Sequence, residues 1–213
     1  MMTKTITFAT SNKGKAITLE RALKVFHLHD WSVDVRSMDL LELQSSSLEE
    51  ISLHKARQAF AAVKKPVIVM DGGFYINQLN GFPGPFARYM FDQMGVENIA
   101  RMVSTFDDHS CYFKNVVTYI ESEDDYQQFH DSTADIYTLT DKIWPTDHPE
   151  QWSAMWRILV PSGLGYAQPL ASMNDAELQT YAEKRAQYDK GDSVLNKFAK
   201  YLSETAIREK AHA

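Results

Sequence analysis

The sequence predicts an α/β fold, and three observations carry the prediction. Residues Thr5–Ala9 (TITFA) alternate in a β-rich pattern, run into the polar turn TSNKGK, and give way to AITLERALKVF, which has helical period. Residues Leu48–Val63 (LEEISLHKARQAFAAV) repeat the helical period, and after Lys65-Pro66 comes Val67–Val69, an apolar run suited to a fully buried strand. Residues Ser193–Ile207 form a closing amphipathic helix.

Between these elements, Ser32–Arg36 (SVDVR) reads as a second strand. Ser47 is the expected N-cap of the 48–63 helix, with Glu50 three residues on as a capping box. The VIV strand is expected to end at Asp71-Gly72-Gly73, with Phe74–Leu79 as a further strand. Asn80–Pro85 (NGFPGP) is an irregular loop before the helical stretch ARYMFDQMGVENIARMVSTF. Tyr112–Ile120 and Ser132–Thr138 have strand character and flank the acidic run Glu121 to Asp125, as in a hairpin-like insertion. Trp152–Pro161 is apolar and aromatic, and Asp175–Gln187 is helical. The chain is expected to be one domain over residues 1–213, with a frayed tail at 208–213.

With 213 residues, 44% of them apolar and 12% aromatic, the chain has enough material for a substantial core. The net charge of −6, with the acids scattered, argues against a surface for duplex nucleic acid but leaves small anionic ligands open. A lone cysteine, Cys111, excludes an intrachain disulfide and points to a reducing compartment, the cytoplasm. No segment approaches the roughly 20 apolar residues of a membrane span, and the N-terminal residues lack the apolar stretch of a signal peptide.

Two places have the residue types for phosphate and metal chemistry. The turn Thr10-Ser11-Asn12-Lys13-Gly14-Lys15 follows a strand and opens a helix, where free backbone N–H groups and the positive helix end favour an anion and Lys15 adds a charge. It lacks the longer glycine-rich stretch of a Walker A loop, and on position alone it is equally a capped turn with solvated lysines. Glu50 and Asp71 are the sort of carboxylate pair that holds Mg²⁺ with phosphate and water completing the octahedron. Taken alone, Glu50 reads better as a helix cap, while Asp71, a carboxylate followed by two glycines at the expected strand end, is a site candidate. Lys55, Arg57 and Arg88 are ambiguous between solvated cations and ligand contacts. His54, His109 and His130 have no metal-ligand spacing.

Taken together, ATSNKGK, EEISLHKARQA and VIVMDGGFYINQLNGFPGPFARYM resemble the motifs of the inosine triphosphate pyrophosphatase family, in the same order and at similar spacing. The resemblance implies an elongated α/β fold with a long mixed β-sheet flanked by helices, two lobes and a central nucleotide cleft. It also implies hydrolysis of a non-canonical nucleoside triphosphate to monophosphate and pyrophosphate, dependence on Mg²⁺ (or Mn²⁺), and a homodimer. On that mapping Glu50 and Asp71 hold the metal, and Asp71, Lys15 and Lys55 are catalytic. Thr10, Asn12, Lys13, Gly72 and Arg88 contact the nucleotide.

The departures bear on the chemistry. Where the family carries two adjacent acids and then a hydroxyl residue, this chain has Met70, Asp71 and Gly72, so one carboxylate is missing. Where the family has an aromatic segment stacking on the purine, this chain has Trp152 to Arg157, with Trp152 and Trp156 as candidate stacking rings or core residues. Where the family reads the 6-keto edge with Ser-His-Arg, this chain has approximately Tyr188-Asp189-Lys190, and Lys190 is expected to keep the positive charge. Altered base recognition follows as an expectation. The same departures allow a second reading, a nucleotide-binding or partner-binding protein on the same fold with little hydrolysis.

Overall fold

The computed structural model describes residues 4–134, 136–189 and 191–212. Among these, the strands form a mixed sheet in the order Trp31–Arg36, Lys4–Ala9, Val67–Ile76, Ser110–Ser122, Tyr137–Leu139, Leu159–Val160, with Pro83–Gly84 pairing Val67–Ile76 and Asp125–Ser132 pairing Ser110–Ser122. The chain divides into two compact units.

The first unit comprises Met1–Asp71, Asn115–Asp131 and Gly191–Ala213. It contains β1 (Lys4–Ala9), α1 (Lys13–Val25), β2 (Trp31–Arg36), α2 (Leu48–Val63), the first half of β3 (Val67–Ile76) and the second half of β5 (Ser110–Ser122). β6 (Asp125–Ser132) and the closing helix α5 (Val194–His212) complete it. β1 runs parallel to both β2 and β3, with Ile6 opposite Val33 and Phe8 opposite Ile68. Parallel strands buried on both faces require apolar residues without alternation, which is what Val67, Ile68 and Val69 supply.

The two faces have separate cores. Ile68, with Met70 packed beside it, joins Ile6, Phe8, Leu19, Phe198 and Leu202. Val67 and Val69 join Ala9, Ala56, Ala59 and Ile120. This period-2 division sends the side chain of Asp71 to the α2 face and that of Met70 to the α1 and α5 face. A buried hydroxyl pair, Ser52 Oγ and Thr118 Oγ1 at 2.8 Å, ties α2 to β5.

The second unit comprises Gly72–Lys114 and Ser132–Lys190. It takes the second half of β3, β4 (Pro83–Gly84), α3 (Ala87–Val103), the first half of β5, β7 (Tyr137–Leu139), β8 (Leu159–Val160) and α4 (Asp175–Asp189). Phe74, Ile99, Ile136, Leu139, Trp156 and Ile158 are among its core residues. Cys111 is buried there, and burial raises its thiol pKa well above the ordinary range, so it stays protonated.

Several expectations are corrected. β3 does not end at Asp71-Gly72-Gly73; it continues to Ile76, so Phe74–Leu79 is not a separate strand, and Asn77–Leu79 is a single 3₁₀ turn. A hairpin does form around the acidic run, but its second strand is Asp125–Ser132, and Ser132–Thr138 is not one strand: β7 begins only at Tyr137. Glu123 and Asp124 form the tight turn between β5 and β6, and Asp125 already opens β6. The helix after the Pro-Gly loop is broken at Gly95, whose φ of 72° and ψ of 155° are non-helical. α5 extends to His212.

Gly73 is where β3 and β4 come closest. A Cβ there would lie 2.9 Å from Tyr75 Cε2 and 3.0 Å from the Gly84 carbonyl carbon. Gly73→Ala is expected to destabilise the fold by about 1–3 kcal/mol, because the Tyr75 ring, stacked on Tyr112, and the Gly84 backbone must both give way. A lower urea midpoint with an unchanged m-value would show this.

Candidate functional site

The site begins at the carboxyl end of β1. Thr10 Oγ1 accepts a hydrogen bond from the Asn12 backbone N–H at 3.1 Å, and the Asn12 side chain caps α1 by accepting from the Lys15 N–H at 3.2 Å. The polar turn is therefore a built helix N-terminus, with the positive end of α1 behind it. Lys13 opens α1, but its side chain lies outside the described residues.

Four side chains converge beside this turn. Lys55, on α2 one turn beyond the buried Ile51, places Nζ 2.6 Å from Asp71 Oδ1 and 3.1 Å from Glu42 Oε2. Lys15 Nζ donates to the Met70 carbonyl at 2.8 Å. The ladder explains why Asp71 is available: β1 pairs with β3 only at Val67 and Ile68 and ends at Ala9, so β3 has outrun its neighbour by residue 71. In place of a strand end, the sequence provides a long strand beside a short one.

The electrostatics are asymmetric. Burial pushes the Lys15 pKa below its ordinary value; the charge of Asp71 opposes this, Lys55 reinforces it, and Glu42 opposes it. Burial also acts downward on Lys55, but the hydrogen bonds and charges of Asp71 and Glu42 outweigh it, so the net shift is upward. Lys55 is thus a paired cation, whereas Lys15 is held by a neutral carbonyl in a dry place. Asp71 is only 13% exposed at its side chain, and its Oδ2 is buried with no hydrogen-bond partner. A buried carboxylate oxygen left unpaired is costly and signals a missing partner.

Glu50 does not join this group. Its Oε2 accepts from Ser45 Oγ at 2.7 Å on an exposed surface. The capping box is half made: Ser47 Oγ accepts from the Glu50 N–H, but the Ser47 N–H donates to Ser45 Oγ rather than to Glu50. The carboxylate brought to Asp71 is Glu42, which the sequence reading missed. It sits in the irregular segment between β2 and α2, where periodicity gives no signal; only its isolation among leucines (Leu40-Leu41-Glu42-Leu43) marks it.

Among the described residues, no three His, Cys, Asp or Glu side chains form a group suited to a metal ion. Asp71 with its unpaired oxygen and Glu42 beside it fit a hard cation that takes its remaining oxygens from phosphate and water, the usual manner of Mg²⁺, and do not make an all-protein cage.

The other candidates lie in the second unit. Gly72 is exposed on β3, and Arg88 is exposed in the first turn of α3. Trp152 is 58% exposed, edge-on to Phe113 at 5.9 Å and to Trp156 at 6.2 Å. Trp156 is 7% exposed and belongs to the core, so of its two readings the structure gives core packing. Tyr188 donates its hydroxyl hydrogen to the Ala134 carbonyl at 2.9 Å. Lys190 lies outside the described residues.

A mixed sheet flanked by helices, with a capped helix N-terminus beside a Lys-Asp-Glu cluster, defines a class of α/β proteins. A solved structure of the Staphylococcus aureus Ham1 protein shares this fold at a TM-score of 0.70, with 19% identity over 95% of this chain and all of that one. The Ham1 family model matches residues 6–135, and the chain belongs to that family, as the inosine triphosphate pyrophosphatase resemblance implies. It is 33% identical over 122 residues to a dITP/XTP pyrophosphatase of Hyperthermus butylicus, covering 57% of this chain and 63% of the relative. To the dITP/XTP pyrophosphatase of Methanopyrus kandleri it is 40% identical over 116 residues, 54% and 60% of the two chains. The match thus spans about three-fifths of those relatives' length.

Proposed function

We propose that this chain hydrolyses a nucleoside triphosphate to the monophosphate and pyrophosphate in a reaction that needs Mg²⁺ or Mn²⁺. The observation that carries the reading is the buried, unpartnered Oδ2 of Asp71, set between two lysines and beside a capped helix N-terminus. The dITP/XTP pyrophosphatase relatives support the same reaction class.

The backbone N–H groups opening α1, oriented by Thr10 and Asn12, receive phosphate oxygens. Lys15 and Lys55 neutralise charge that develops on those oxygens as the bridging P–O bond breaks. Asp71 Oδ2 faces a position where it accepts a proton from an attacking water or binds a cation, and Glu42 supplies the second carboxylate for that cation in place of Glu50. A divalent ion, when bound, polarises the phosphate and lowers the pKa of a water. The second unit, taken by itself, keeps Trp152 as an exposed ring that suits stacking on a planar group, and Trp156 is withdrawn from that role. Altered base selection follows from Tyr188 and the residues after it in place of the family's reading set.

A homodimer and a cytoplasmic location belong to the same reading. Phe82, Phe86 and Tyr89 expose three large aromatic rings within eight residues, a surface that a second copy would cover. No helix among the described residues is long and apolar enough to cross a membrane.

Pyrophosphate release from ordinary, deaminated and modified nucleotides, with Mg²⁺, Mn²⁺ or EDTA, tests the proposal. We expect metal-dependent release that EDTA abolishes, concentrated in one base class. A second reading has its own support: the Met70 side chain packs against the apolar face, so that side of the site has no carboxylate. Triphosphate binding without release from any nucleotide would favour it and overturn the first.

A further inference from the structure

A cavity of the first unit, of about 280 Å³, lies at the opposite ends of the strands from Thr10, which follows β1, and from Asp71 of β3. It is lined by Lys4 at the start of β1, Trp31 at the start of β2, Tyr119 and Glu121 near the end of β5, and Tyr201 and Thr205 of α5. The six residues of β1 separate it from the Thr10 turn, about 20 Å at strand rise.

Three features of its wall point to a ligand. Trp31 Nε1 is buried and has no hydrogen-bond partner, and an indole nitrogen only donates. Tyr119 and Tyr201 meet edge-on at 6.2 Å and, with Trp31, give the cavity an aromatic lining suited to a flat ring. Lys4 Nζ stands 5.5 Å over the Trp31 ring and Glu121 brings a carboxylate, so the polar groups carry one charge of each sign. Burial, then the charges of Glu121, Tyr201 and Asp125, raises the Tyr119 pKa far above its ordinary value, so its phenol stays neutral.

We propose that this cavity binds a small neutral nitrogen heterocycle of nucleobase type, independently of the phosphate site. The unpaired indole N–H requires an acceptor on the ligand, the exposed Glu121 carboxylate, which already bonds the Tyr119 side chain, has room to accept from a further donor, and the aromatic lining suits a π face; a nucleobase offers all three. The volume of about 280 Å³ is near the small end of ligand pockets, which suits a single base.

The experiment titrates ¹⁵N-labelled protein with hypoxanthine at millimolar concentration and follows the tryptophan indole N–H signals, Trp31→Phe identifying the signal of Trp31. The Trp31 signal is expected to move saturably, and to do so equally in Asp71→Asn, which separates this site from the phosphate site. By ligand-observed NMR, Trp31→Phe is expected to weaken hypoxanthine about tenfold, the loss of one hydrogen bond. Thr205→Met, which fills the cavity, is expected to abolish the shift, and the Trp31 signal can be assigned directly if Trp31→Phe fails to fold. A static Trp31 signal, or shifts confined to the other indoles, overturns the proposal.

Discussion

Replacing Asp71 with asparagine is expected to lower pyrophosphate release by about 10²–10³-fold with the fold intact, the range seen when one preorganised charge is removed from a reacting centre. The change is nearly isosteric, but it removes the carboxylate that Lys55 approaches at 2.6 Å and the unpaired oxygen beside it. It leaves Glu42 as the half-exposed partner of Lys55. A stability effect of known sign accompanies the catalytic one. In the native state the Lys55 pKa is raised above its unfolded value, so its pairing contributes fully below that value and is lost as pH rises through the higher native pKa. Asp71→Asn removes the largest upward influence and should bring the alkaline loss of stability to lower pH. Steady-state turnover of the best nucleotide with saturating Mg²⁺ decides the matter; wild-type turnover in the variant would remove Asp71 from the mechanism.

Lys15→Met is expected to reduce turnover by about 10²-fold while showing the opposite pH signature. Lys15 is buried against a carbonyl, and its pKa is lowered in the native state. At pH values below the native pKa the amine is charged in both states, and its burial costs stability. As pH rises through the native pKa towards the unfolded value, the native amine loses its proton while the unfolded one keeps it. The unfolded state then binds more protons, and wild-type stability rises relative to Lys15→Met. Urea midpoints of the two proteins between neutral pH and about 10.5 report this directly, and a difference that does not change with pH would show that Lys15 is solvated. The cause is burial, with Lys55 adding to it, while the Lys15 Nζ is held by the Met70 backbone carbonyl and not by a carboxylate. A triphosphate arriving at the turn would supply a counter-charge that offsets the burial of Lys15.

The local elements were legible because they rest on local rules. The 48–63 helix has the expected limits and the expected Ser47 cap, since capping and hydrophobic period act over a few residues. The Thr10 to Lys15 turn lies where a strand meets a helix, and Asn12 caps that helix with its own side chain. Lys55 and Asp71 were identified by order and spacing, and they meet. The strand through Gly72-Gly73 was misread because glycine interrupts a pattern in sequence, whereas in the sheet these residues extend one strand to pair with β4 at Phe74 and Tyr75.

Residues Glu50 and Glu42 mark where the sequence stops. Both are acids close to α2, and the one with the stronger local signal was the wrong partner for Asp71, because a first-turn helix position is explained by capping alone. Which carboxylate reaches Lys55 depends on the path of the irregular segment between β2 and α2, set by long-range contacts such as the paired hydrogen bonds between Leu41 and Gln58. Trp156 likewise could be sorted into the core only by its neighbours, since an aromatic residue has the same letter whether it stacks on a ligand or fills an interior. The sequence determined the elements, the anion turn and the family, which depend on short-range pattern and ordered motifs; the tertiary structure alone decided which charges are buried together, because burial and charge pairing are properties of distance in space.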